Sequence, residues 1–179
     1  GNLPHRPEEP ATDMTWLDAV AWCNALSERE GKQPVYYADA ERKQVFRKVL
    51  ERWYDRETNA DYVPRVYVKW SADGYRLPTA AEWTAAARGA NAGWTAASSE
   101  GTTRPVGAQA PNQNGLHDTL GNVWEWVWDA GEHFHSEEDT AHTVLGGGLH
   151  HPASPVEQSA SPYGDIPFSG SYKIGFRVV

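Results

Sequence analysis

"VLGGGLHHPASPVEQSASPYGDIPFSGSYKIGFRVV", residues 144–179, decides how this chain is read. Residues 149–172 show neither a helical nor a strand period. They nevertheless stand between a glycine run at 146–148 and a closing "KIGFRVV" that reads as a strand. A structureless segment of this length inside a compact domain is either a functional loop or a linker. The remainder of the chain chooses between them.

With 179 residues the chain is expected to form one domain, 1–179, large enough to bury a core without disulfides. Its 16 Gly and 12 Pro limit regular structure, while nine Trp and eight Tyr supply much of the apolar area. Twenty-four acidic against 16 basic residues give a net charge of −8, which argues against nucleic acid as a partner, since that needs a basic face. The single cysteine, Cys23, excludes an internal disulfide and any CxxC metal site. No apolar run is long enough to insert in a membrane, and no signal peptide is read. The chain begins with Gly1 rather than Met, so its localisation is left open.

Working back from the terminal segment, "NVWEWVWD" reads as an aromatic strand, and "YRLPTAAEWTAAARG" as a helix with Thr79 at the N-cap, Glu82 at N3 and Gly89 as its stop. "TWLDAVAWCNALSEREG" reads as a first helix, capped by Thr15 and Asp18 and ended by Gly31. Leu17, Val20, Ala21 and Asn24 lie along one face of it, flanked by Trp16 and Cys23. "PVYY" and "RVYVKW" read as strands. Between them Val45, Phe46, Val49, Leu50, Trp53 and Tyr54 are spaced as pairs four apart, which predicts an amphipathic helix over 39–57. The whole is a loop-rich α+β domain.

Three stretches, "GYRLPTAAEWTAAARG" at 74–89, "GLHDTLGNVWEWVWD" at 115–129 and "GGG…IGFRVV" at 146–179, resemble the formylglycine-generating enzyme (sulfatase-modifying factor) family in order and spacing. "TWLDAVAWCNALSEREGKQPVYY" is similar to it as well. The resemblance implies that family's C-type lectin-like fold: two main helices, small antiparallel sheets and high loop content. Family domains carry a further N-terminal segment with a helix, so the chain is expected to be a fragment or a shortened variant. A hairpin is common in the family where the spacing predicts a helix at 39–57.

In "RLPTAAEW", Arg76 and Glu82 are read as a helix cap and an internal ion pair rather than as ligand contacts. In "HDTLGNVWEW", Asp118 and Glu125 supply carboxylates seven residues apart, with the carbonyls of Gly121 and Val123 between them. That all-oxygen set suits a hard cation, and the resemblance implies a structural calcium on these four residues. The alternative is a turn whose acids cap backbone N–H groups. The family's second calcium site is not carried over, because the preceding loop lacks a matching acidic pair. Five of the seven histidines, His133, His135, His142, His150 and His151, fall within 19 residues. They are read as solvent-facing loop residues rather than as a metal site.

Catalysis in the family rests on two cysteines that hold copper. Aligned on "LGGGLHH", their positions carry His151 and Val156, and Cys23 lies in an early helix. No copper and no oxygenase chemistry are therefore expected. The segment then reads as a display surface held at both ends, a type of loop that carries binding function. Its candidate ligand contacts are Leu149, His150, His151, Ser154, Tyr163, Asp165, Ile166, Phe168, Ser169, Ser171 and Tyr172. Tyr, Ser and Gly beside a few larger anchors is also the chemistry of antibody paratopes.

A subset of the family, the variable proteins of diversity-generating retroelements, randomises this segment at adenines. An AAC or AAT codon so mutated never encodes Lys, Glu, Gln, Met or Trp. In 149–172 only Glu157 and Gln158 break that rule, so 22 of 24 positions obey it, against about 18 for ordinary composition. The resemblance thus implies a non-catalytic domain whose variable surface, 149–172, binds a protein or other macromolecule. Two alternatives are kept: an enzyme of the wider family using a non-haem metal, for which His150, His151 and Glu132 are the candidate ligands, and an accessory or sensor module of a larger protein.

Overall fold

The computed structural model describes residues 7–12, 14–47, 53–55, 60–62, 65–89, 93–95, 97–130, 142–148, 163–165 and 174–179. Helix α1 is Trp16–Arg29 and begins at a capping box in which Thr15 and Asp18 each accept the other's backbone N–H. Its buried face carries Trp16, Leu17, Val20, Cys23 and Asn24. Asn24, fully buried, ties the helix to the next strand, β1 (Tyr36–Tyr37). Its Nδ2 donates to Tyr36 O and Phe46 O, and its Oδ1 accepts from Val35 and Tyr36 N–H. One side chain thereby satisfies four backbone groups that burial would otherwise leave without water.

The segment after β1 departs from the expected helix. Residues 39–44 form a turn in which the Asp39 carboxylate accepts the N–H groups of Lys43 and Gln44, and Arg42 is left-handed at φ 56°. Val45 bridges to Tyr37. Strands β2 (Trp53–Asp55) and β3 (Ala60–Tyr62) pair antiparallel, with Trp53 opposite Tyr62, while Val49 and Leu50 of the expected helix lie outside the described residues. The i, i+4 spacing of aromatic and β-branched residues suits a strand pair equally well once a partner is supplied, and long-range pairing overrides the helical period. Strand β4 (Tyr67–Val68) pairs with β1.

Helix α2 (Ala80–Ala86) starts at the second expected capping box, Thr79 with Glu82. Strand β5 (Trp124–Ala130) is central to the four-stranded sheet, whose order is β7-β6-β5-β8. Here β6 is His142–Leu145, β7 is Tyr163–Asp165 and β8 is Ile174–Phe176. β5, β6 and β7 run antiparallel, but β8 joins β5 in parallel, so this sheet is mixed. The segment read as lacking any strand period therefore contains one, β7. Its pairing to β6 rests on backbone hydrogen bonds, which need no side-chain alternation. Two indoles fix the start of α1 and the residue before its cap to β5: Trp16 Nε1 donates to Val127 O at 3.0 Å, and Trp126 Nε1 to Met14 O at 3.2 Å. The core formed there includes Val20, Tyr36, Leu77, Trp126, Val144 and Ile174.

Candidate functional site

The turn that leads into β5 is held by three other parts of the chain. Gly121 N–H donates to Gly146 O at 2.8 Å, and Asn122 N–H to Trp94 O at 2.8 Å. The Asn122 side chain exchanges two hydrogen bonds with the backbone of Arg104. Gly121, at φ 76°, has no room for a Cβ, because the backbone of Trp94 lies against it. Asp118, left-handed at φ 53°, opens the turn and accepts Gly107 N–H on Oδ2 at 2.6 Å.

Glu125, the next acid in the motif, is buried in β5. Both its oxygens face Arg177, just beyond β8: Nε donates to Oε2 and Nη2 to Oε1, each at 2.5 Å. Trp83 Nε1 of α2 adds a third donor, to Oε2 at 2.6 Å. A two-pronged guanidinium contact of this kind is the strong form of ion pair. It ties three elements together at one buried carboxylate. Burial works against the charge on Arg177, but Glu125 and then Asp118 outweigh it and raise the guanidinium above the ordinary arginine range. Arg177 did not figure among the expected site residues. The "GFRVV" ending contained it, but only the parallel β5–β8 register brings it 52 residues back to Glu125.

The four residues expected to hold calcium can be tested on their present partners. Asp118 Oδ1 is buried and accepts no hydrogen bond. A buried carboxylate oxygen without a donor is costly unless a cation or water meets it. Around it, two carboxylates face one guanidinium, which leaves one negative charge unmatched. The donor chemistry therefore fits a hard cation at Asp118. Glu125 is more heavily committed, with three of roughly four lone-pair sites already accepting. Among the described residues no group of three or more His, Cys, Asp or Glu gathers in metal-binding geometry.

The Arg76–Glu82 pair forms as read: Nη1 and Nη2 of Arg76 reach the two carboxylate oxygens at 2.7 Å each. Those bonds, with the capping N–H and hydroxyl of Thr79, hold the Glu82 carboxyl down at about 2. Cys23 is wholly buried, and burial pushes its thiol up to about 12, far from a reactive thiolate.

Of the histidines, His133, His135, His150 and His151 lie outside the described residues. His142 is described, and it is not the solvent-facing loop residue expected. It sits in β6, stacked on Trp16 with ring centroids 3.5 Å apart, with its Nδ1 against Trp128 O. Burial holds it down at about 4, so it is neutral at pH 7.

The proposed display segment is anchored as its flanks predicted. Gly146, at φ 98°, packs where a Cβ would come 3.1 Å from the Trp83 ring, and β8 closes the far end in the sheet. Tyr163 and Asp165 fall in β7, opposite Val144 and His142 of β6. Leu149, His150, His151, Ser154, Ile166, Phe168, Ser169, Ser171 and Tyr172 lie outside the described residues.

Comparison with known proteins places this geometry. The family model of the sulfatase-modifying factor enzyme 1-like domain matches residues 1–179. The chain is 32% identical to "Chaperone protein LppX" of Paenibacillus barcinonensis, over 79% of this chain and 59% of that one. It is 38% identical to the formylglycine-generating enzyme of Streptomyces coelicolor, over 35% of this chain and 28% of the enzyme. It thus spans less than two thirds of either relative. Treponema denticola variable protein 1 superposes with a TM-score of 0.75 over 99% of this chain and 74% of its own, at 22% identity, which is a likeness of fold.

Proposed function

The chain belongs to the sulfatase-modifying factor enzyme 1-like family, with its C-type lectin-like fold, and from that premise we propose that it is a non-catalytic ligand-binding domain. Its variable surface, 149–172, would belong to a retroelement-diversified protein and bind a protein or other macromolecule. One observation carries the reading. The only thiol in the chain is the inert, buried Cys23, while the family's copper-binding positions hold His151 and Val156. Chemistry that needs two thiolates has no ligands here.

Support comes from two further directions. The segment is pinned at its start by the glycine turn on Trp83, within by β7 on β6, and at its end by β8 on β5. A scaffold so pinned positions changeable residues without depending on them. The relatives' names, one a chaperone and one a variable protein, agree with a macromolecular ligand and a changing surface. Calcium, held by Asp118, Gly121, Val123 and Glu125, would serve the scaffold rather than the ligand. Among the described residues no helix is long and apolar enough to cross a membrane.

The reading is tested by sequencing the encoding locus across a cell population, codon by codon over 149–172. Substitutions confined to those codons, at adenines of a nearby template repeat, are the expected result. An invariant segment removes the diversification claim. Conversion of a cysteine peptide to formylglycine by the copper-supplied protein, or stoichiometric iron in it, removes the non-catalytic one.

A further inference from the structure

The four-stranded sheet ends in β7 on one side and β8 on the other. Beside β8 a cleft of about 650 Å³ opens, lined by Trp22 of α1, by the segment before that helix and by the loops around residues 106 and 116. Its walls are mostly apolar: Met14, Trp22, Val106, Leu116, Phe176 and Val178. Trp22 leaves 48% of its surface exposed and meets Phe176 edge-on, with centroids 5.2 Å apart. A large aromatic left open in a cleft is informative, where a scattered exposed leucine is not. The volume lies in the range of small-molecule sites, and apolar walls with a few polar groups are their usual makeup.

The polar groups of the lining differ in how far they are engaged. Glu125 is buried and accepts three donors. Asp118 gives one oxygen to Gly107 N–H and keeps the other buried, so its carboxylate serves the turn and not the cleft. His117 is tied through Nδ1 to Gln109 O. Arg177 is partly exposed and only partly engaged. Its Nε and Nη2 donate to Glu125 and to His117 O, while Nη1 makes no hydrogen bond among the described residues and is not buried. The cleft therefore presents apolar walls and one uncommitted guanidinium nitrogen. The positive charge of that group is already matched at Glu125, so an anionic guest would meet the two carboxylates behind it. An uncharged oxygen accepts the Nη1 hydrogens without that opposition.

We propose that this cleft is a second binding site, for a small apolar molecule ending in an uncharged carbonyl, whose body lies on Trp22 and Phe176 and whose oxygen accepts from Arg177 Nη1. None of its lining residues falls within 149–172, so the site is independent of the display surface. A calcium ion on the 118–125 turn would draw on carboxylates and carbonyls, and leaves this nitrogen to the guest.

The test is ligand-observed NMR titration of the full chain, in buffer containing EDTA, with benzylacetone, its hydrocarbon analogue butylbenzene and its carboxylate analogue hydrocinnamate. Benzylacetone should bind, and hydrocinnamate should bind about tenfold more weakly or less. The double variant Glu125→Gln/Arg177→Met removes the guanidinium without leaving a buried anion alone. It should lose about tenfold in affinity for benzylacetone and keep its affinity for butylbenzene. Trp22→Ala, on the exposed face of α1, should weaken both. The Trp22 and hydrocinnamate comparisons decide the matter even where the double variant fails to fold. Hydrocinnamate binding as tightly as benzylacetone overturns the proposal. So does a folded double variant that treats ketone and hydrocarbon as the wild type does, or an affinity that Trp22→Ala leaves unchanged. Absence of benzylacetone binding to a wild-type protein whose circular dichroism shows it folded overturns it as well.

Discussion

Replacing Arg177 with methionine keeps most of the side-chain volume and removes the cation from Glu125. That carboxylate is 7% exposed, and among the described residues its charge would then face only the Trp83 N–H. Breaking a buried pair by removing one partner costs about 3–5 kcal/mol, because the remaining charge is left without compensation. The guanidinium is itself 22% exposed, so some water reaches the site and the lower part of that range, about 3 kcal/mol, is expected. With a urea m-value of about 2 kcal/mol/M, the midpoint should fall by about 1.5 M with the slope unchanged. Glu125→Gln keeps an acceptor for Trp83 and removes the anion. The double variant has no charge to strand and should be more stable than the two single losses summed. The cycle should therefore return a coupling of about 2 kcal/mol. The assay is equilibrium urea unfolding followed by tryptophan fluorescence, in EDTA so that no cation substitutes. A coupling below about 0.5 kcal/mol would refute the view that this ion pair clamps β8 to β5 and α2.

Glu82→Gln should cost about 1 kcal/mol, since it weakens the α2 cap and an ion pair whose acid is 43% exposed and screened. The Glu82 carboxyl is held at about 2, below its ordinary 4.5, so its contribution is complete above pH 4.5 and fades as pH falls toward 2. Wild-type and variant stabilities, measured by urea unfolding at a series of pH values, should converge across that window. Gly146→Ala forces a Cβ into a left-handed residue against Trp83 and should cost about 1–3 kcal/mol, read as a fall in thermal midpoint. Calcium at about a hundred times its Kd should raise the thermal midpoint by about 5–10 °C, and Asp118→Ala should abolish the gain; no change in the wild type would leave Asp118 Oδ1 to a water.

What the sequence disclosed follows from how local each signal is. Both helices announced themselves through capping boxes, Thr15 with Asp18 and Thr79 with Glu82, whose partners lie three residues apart. The aromatic strand β5 was readable for the same reason. The stretch around Val45 and Trp53 was misread, because its spacing satisfies a helix locally while its pairings, Val45 with Tyr37 and Trp53 with Tyr62, are set by neighbours in space. His142 looked like one member of a loop cluster, and only the β5–β6 register places it against Trp16 and Trp128. Of the candidate site, the motif at 118–125 was visible from residue types alone. The cation that pairs with it was not, since no local pattern links positions 125 and 177. The parallel direction of β8 is invisible for the same reason.

That parallel strand has a kinetic consequence. Glu125 precedes Arg177 by 52 residues, so at about 5–20 residues per second a ribosome takes about 3–10 s to deliver the partner. Until then β5 lacks its β8 neighbour, and its tryptophans wait on a contact that cannot nucleate locally. Lesions in β8 should therefore register first as lost yield during synthesis, before any change in the purified protein's melting is large enough to notice.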